Sequence, residues 1–170
     1  MLWPFDDDAW DYDPDAVLDD SGEEGLLQTS EGLPLLVAAA GRPGYPKRDH
    51  LPESYTRHVV GHDRADTYPA LRAAAGIAAA SPDERTRGYA AWVDRLLGYR
   101  ARPARVPRAR AEQMAADLLR GPLLDARLPR LEVRITPDGR QWLSCDHSWA
   151  RDELRIDRRT GVFTITTRPR

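Results

Sequence analysis

A chain of 170 residues that is 41% hydrophobic and 31% charged can bury a core of its own without disulfides or metal. A lone cysteine, Cys145, excludes an intrachain disulfide, and the longest apolar run, near Leu35 to Ala40, is far too short to span a bilayer. The net charge of −2 conceals two opposed parts: residues 1–32 carry 11 acidic and no basic side chains (−11), whereas residues 33–170 carry 25 basic and 16 acidic ones (+9).

No basic stretch followed by an apolar one opens the chain, so no secretory signal is expected there. With the single cysteine, this places the protein in a reducing, cytoplasmic setting away from membranes. Of the basic residues only Lys47 is lysine, the mark of a GC-rich genome, which lowers the weight of any argument from arginine count.

The first segment, MLWPFDDDAWDYDPD, sets Trp3, Phe5, Trp10 and Tyr12 among Asp6, Asp7, Asp8, Asp11 and Asp13. Acidic groups speed encounter with a basic surface, and aromatic rings then anchor the contact. Asp11, Asp13 and Asp15 begin like a calcium loop, but Ala16 stands where such a loop needs glycine and Gly22 where it needs glutamate. The arm is therefore expected to be a ligand for a basic partner, or a lid over the chain's own arginines.

Residues 33–40 (LPLLVAAA) form a short apolar element, followed by a Gly- and Pro-rich loop. From Pro52 the pattern turns helical, with Tyr55, Val59 and Val60 on one face and Gly61 as the stop. A second helix runs from about Pro69 to Ala80, striped by Leu71, Ala74, Ala75 and Ala78. In SPDERTRGYAAWVDRLLGY, Ser81 is the expected N-cap, Pro82 the first helical residue and Glu84 the partner in a capping box. Tyr89, Trp92, Val93, Leu96 and Leu97 then recur at helical spacing, with Gly98 as the expected stop. Ala111, Met114, Ala115, Leu118 and Leu119 repeat the spacing in a helix from about Arg108 to Arg120, closed by Gly121 and Pro122.

After Pro129 the period becomes two: LEVRI, the turn TPDG, RQWLSC, a loop, ELRID, the turn RRTG and VFTITTR. Trp142, Leu154, Ile156, Phe163 and Ile165 are the expected core face. The fold class is α+β. About four short helices over residues 52–120 pack on an antiparallel sheet of three to four strands over 131–168. Residues 33–170 form one domain behind the acidic arm, residues 1–32.

Two sets of residues suggest chemistry. His58 and His62, spaced i and i+4, share a helix face; with Cys145 and His147 they would make a Cys-His₃ set acceptable to zinc, the sole cofactor the residues suggest. The glutamate of a zinc-protease motif is missing from this pair. Arg100, Arg102, Arg105, Arg108 and Arg110 crowd YRARPARVPRAR, the best candidate for contact with nucleic-acid phosphates. No glycine-rich phosphate loop is present, and no catalytic carboxylate stands out among the 27 acidic residues, so no catalytic residue is named and an enzyme is not favoured. The favoured function is a regulatory or inhibitory protein-interaction module, of the immunity or nucleic-acid-mimic kind, whose arm binds a basic protein. The alternatives are a nucleic-acid-binding protein with the arm as autoinhibitory lid, and a zinc-dependent enzyme.

Overall fold

The computed structural model of the protein describes residues 29–40, 51–101, 104–122, 129–147 and 151–168. The expectations for Trp3, Phe5, Asp6, Asp7, Asp8, Trp10, Asp11, Tyr12, Asp13 and Arg102 fall outside the described residues.

Five α-helices precede four strands: α1 (Gly32–Ala40), α2 (Leu51–Gly61), α3 (Tyr68–Ala79), α4 (Glu84–Ala101), α5 (Arg108–Ala115), then β1 (Val133–Ile135), β2 (Gln141–Asp146), β3 (Arg151–Asp157) and β4 (Phe163–Arg168). The strands form an antiparallel meander in sequence order. Its register aligns Val133, Ser144, Leu154 and Ile165 in one row and Ile135, Trp142, Ile156 and Phe163 in the next. Both rows lie on the helix-facing side, because side chains two apart share a face. Leu154, Ile156 and Phe163 join Trp92, Tyr89, Leu71 and Met114 in one core, and Ile165 packs against it half-buried. Gly32–Ala40 thus adds a helix to the four expected over residues 52–120, and it buries Leu33, Leu36 and Val37 in the same core.

Two helix boundaries differ from expectation. Asp83, not Ser81, caps α4: its Oδ2 accepts the Thr86 N–H at 2.8 Å and the Thr86 hydroxyl at 2.6 Å. These bonds hold the Asp83 carboxyl below the usual carboxylate range. Ser81 Oγ instead accepts the Asp83 N–H at 3.2 Å, one step outside the helix. Nor does Gly98 end α4, which continues to Ala101. An internal glycine costs about 1 kcal/mol, and the anchoring of Tyr99 and Arg100 described below offsets it.

The end of α2 has a similar explanation. The Asp63 N–H donates to the Val60 carbonyl and the Arg64 N–H to the Val59 carbonyl, the paired bonds of a Schellman closure. Its left-handed residue is Asp63 (φ 51°), a type that tolerates this conformation. Gly61 is the last helical residue. It is small because β4 approaches: a Cβ there would stand 2.9 Å from Ile165 Cδ1.

The last turn after α5, Ala116–Arg120, is a π-turn. The wider turn rotates less per residue, so Asp117, Leu118 and Leu119 all reach the buried side. Among the described residues, no helix is long and apolar enough to cross a membrane.

Candidate functional site

Two buried carboxylates tie elements together, Asp117 joining the turn after α5 to α4 and Asp146 joining the same turn to β2. Asp117 accepts Arg95 through Nε and Nη2, both at 3.0 Å, and the Tyr99 hydroxyl at 2.7 Å. Its carbonyl accepts the Trp92 Nε1–H at 2.9 Å. Burial, then the Asp117 carboxylate, pushes the Tyr99 hydroxyl pKa well up, so it remains a donor. Asp146, on the helix-facing side of β2, accepts Arg120 Nε at 3.0 Å, and Arg120 also donates to the Pro129 carbonyl. Both acids therefore have an arginine from the folded domain itself.

The five arginines singled out by sequence separate into different environments. Arg100 is structural: Nε and Nη2 donate to the Val60 carbonyl, Nη2 to the Gly61 carbonyl and Nη1 to the Phe163 carbonyl, at 2.7 to 3.1 Å. Its guanidinium also lies 3.7 Å from the Phe163 ring centre and 3.8 Å from Asp63. With its side chain only 14% exposed, Arg100 is committed to joining α2, α4 and β4 rather than to contacting phosphate. Asp63 in turn accepts the Tyr68 hydroxyl at 2.8 Å, and burial together with this bond pushes that hydroxyl up to about 12. Arg105, Arg108 and Arg110 are exposed. Arg108 pairs with Glu112 at 3.1 Å, and Arg110 lies over the Tyr99 ring at 5.3 Å.

The four zinc candidates are not gathered. His58 and His62 are exposed near the end of α2 with ring centres 4.6 Å apart. Cys145 is half-buried on the side of β2 that carries Gln141 and Leu143, and His147 is exposed beyond the strand. Among the described residues, no three His, Cys, Asp or Glu side chains stand together as a metal set. The i,i+4 spacing is a local property and holds; the long-range half of the set does not form.

The fold instead assembles arginines that sequence spacing keeps apart. Segment 104–107 lies along the turns that close the two hairpins. The Val106 N–H donates to the Arg158 carbonyl at 2.9 Å, and the Arg158 N–H to the Arg140 carbonyl at 3.0 Å. Trp142 Nε1 donates to the Val106 carbonyl at 2.8 Å, with the Arg158 guanidinium 5.0 Å from the Trp142 ring centre. Arg105, Arg140, Arg158 and Arg159 are thereby brought to one end of the sheet, and none is in an ion pair among the described residues. Two carboxylates share this end, but both are turn caps. Asp138 accepts the Thr136 hydroxyl and the Arg140 N–H; Asp157 accepts the Thr160 N–H and hydroxyl and the Arg159 N–H. These bonds hold both carboxyls below the usual range. The turn sequences TPDGR and DRRTG carried this signal, but nothing local tells that 104–107 docks beside them.

Gly161 makes the docking possible. Its φ is +75°, and a Cβ there would stand 2.7 Å from the Ala104 carbonyl oxygen. Gly161→Ala is expected to lower stability by about 1–3 kcal/mol in urea unfolding; an unchanged midpoint would show that segment 104–107 does not rest on this turn. Comparison of the chain with family models, with curated proteins and with solved structures finds no match.

Proposed function

We propose that the protein works by binding, as a regulatory or inhibitory interaction module of the cytoplasm whose acidic, aromatic arm engages a basic protein. The observation that carries this is the division of charge, −11 over residues 1–32 against +9 over the rest. In support, the buried acids Asp117 and Asp146 are paired with Arg95 and Arg120 of the folded domain. Acidic groups speed encounter with a basic surface, and aromatic rings anchor such a contact. The test is affinity capture with the full chain and with a full-length variant carrying Asn at Asp6, Asp7, Asp8, Asp11 and Asp13. A strongly basic protein is expected on the first bait, absent from the second and released by about 0.5 M salt, where the Debye length falls to about 4 Å. Equal retention by both baits would overturn the proposal.

A second reading is favoured by the exposure of Arg105, Arg108 and Arg110: contact with nucleic acid through this stretch, with the arm as a competing lid.

A further inference from the structure

We infer that Arg105, Arg140, Arg158 and Arg159 form a composite site for the phosphate backbone of duplex nucleic acid, an inference that rests on the second reading above and relocates its contact surface. The backbone bonds from Val106 to Arg158 and from Arg158 to Arg140 place three chain segments side by side. Adjacent segments in such bonding lie about 5 Å apart, so the surface is about 10 Å wide before the side chains extend. A duplex carries one charge per about 1.7 Å of axis, and a surface of this size faces several phosphates. Guanidinium is the group suited to them, because its planar N–H fork matches phosphate oxygens two at a time.

The four arginines of this end share their lack of an ion pair among the described residues with Arg64, Arg72, Arg87 and Arg110, and what sets them apart is that backbone bonds gather them. Arg95, Arg108, Arg120, Arg134 and Arg155 each have a carboxylate within 4 Å, whereas the four junction arginines have none among the described residues. Asp138 and Asp157 lie here too, but their hydrogen bonds go to their own turns. Arg158 is steadied by the Trp142 ring and by a bond from Nη1 to the Gly139 carbonyl, which pre-orders one of the four cations. The ligand class follows from the guanidinium groups, which match phosphate oxygens. No Phe, Tyr or Trp among the described residues is exposed, so these residues offer phosphate contact rather than a stacking platform. The contact is with backbone charge, independent of sequence.

The test uses the full chain and a fluorescein-labelled 20-base-pair DNA duplex, read by anisotropy from 50 to 200 mM NaCl. Four phosphate contacts predict a log–log salt slope of about −3.6, an affinity loss of about a hundredfold over that range. The double variant Arg140→Gln/Arg159→Gln is expected to weaken binding about tenfold or more and to reduce the slope by about two, with circular dichroism unchanged. Arg108→Gln/Arg110→Gln is the comparison and is expected to have the smaller effect. If the comparison variant loses binding and the junction variant keeps it, the composite site is overturned while the nucleic-acid reading stands. If neither the wild type nor the arm variant with five Asn substitutions binds the duplex at 50 mM salt, both are overturned.

Discussion

Replacing Arg100 with methionine is expected to destabilise the protein by about 2–4 kcal/mol, because it removes a charged donor from three backbone carbonyls at once. Methionine keeps much of the aliphatic length and deletes the guanidinium. The carbonyls of Val60, Gly61 and Phe163 would each lose a charged donor at once. Two of these close the C-terminal end of α2, where the Val60 carbonyl would keep only the Asp63 N–H. The third lies on the first residue of β4, so the same side chain holds helix and sheet together. A buried carbonyl left without a donor costs about 1–3 kcal/mol. Water entering beside Phe163 and Val60 would recover part of this, since Asp63 nearby is exposed. Arg105→Met is the control: its side chain has no bond or ion pair among the described residues, so its stability effect is expected within about 0.5 kcal/mol. Urea midpoints at neutral pH for both variants decide the matter. If Arg100→Met matches Arg105→Met, Arg100 is not structural, and the separation of the arginine stretch into different roles fails.

The contrast between Arg100 and Arg105 also marks how far the sequence could be read. Periodicity is a local property, and it located the apolar stripes of α3, α4 and α5 and the alternation of the strands. Every residue named for those stripes is buried. Capping was less legible, because Ser81 and Asp83 are both good caps two residues apart. Asp83 prevails where Thr86 offers a hydroxyl as well as an N–H. Gly98 misled because its cost is local and small, while the gains that outweigh it come from bonds of Tyr99 and Arg100 to residues 18 and 40 positions from them, Asp117 and Val60. The candidate site suffered most. Five arginines within eleven residues read as one surface, yet one of them is an internal tie. The composite end includes Arg140, Arg158 and Arg159, which meet Arg105 only through the docking of segment 104–107 on the turns. No spacing rule carries that information, because it depends on which backbone groups pair across the fold.

Asp117→Ala should be the other severe variant, costing about 3–4 kcal/mol. The size follows from what the substitution leaves behind rather than from the ion pair alone. Arg95 is 43% exposed, so its attraction to Asp117 is weakened by solvent and its guanidinium can turn to water. Tyr99 has no such escape: it is buried, and its hydroxyl donates to Asp117. An unsatisfied hydroxyl costs about 1–3 kcal/mol, and the space left beside Trp92, whose indole N–H is fixed on the Asp117 carbonyl, adds a cavity penalty. It follows that Tyr99→Phe alone should cost only about 1 kcal/mol, because it removes donor and need together. Asp117→Ala should then cost less in the Tyr99→Phe background than in the wild type, by about 1–2 kcal/mol. Arg95→Met should be milder than Asp117→Ala by at least about 2 kcal/mol, given its exposure. The four urea midpoints of the Asp117 and Tyr99 cycle measure the coupling directly. Additive costs would mean that Tyr99 finds another acceptor when Asp117 is gone, and that the π-turn carrying Asp117 is not what fixes α4 against α5.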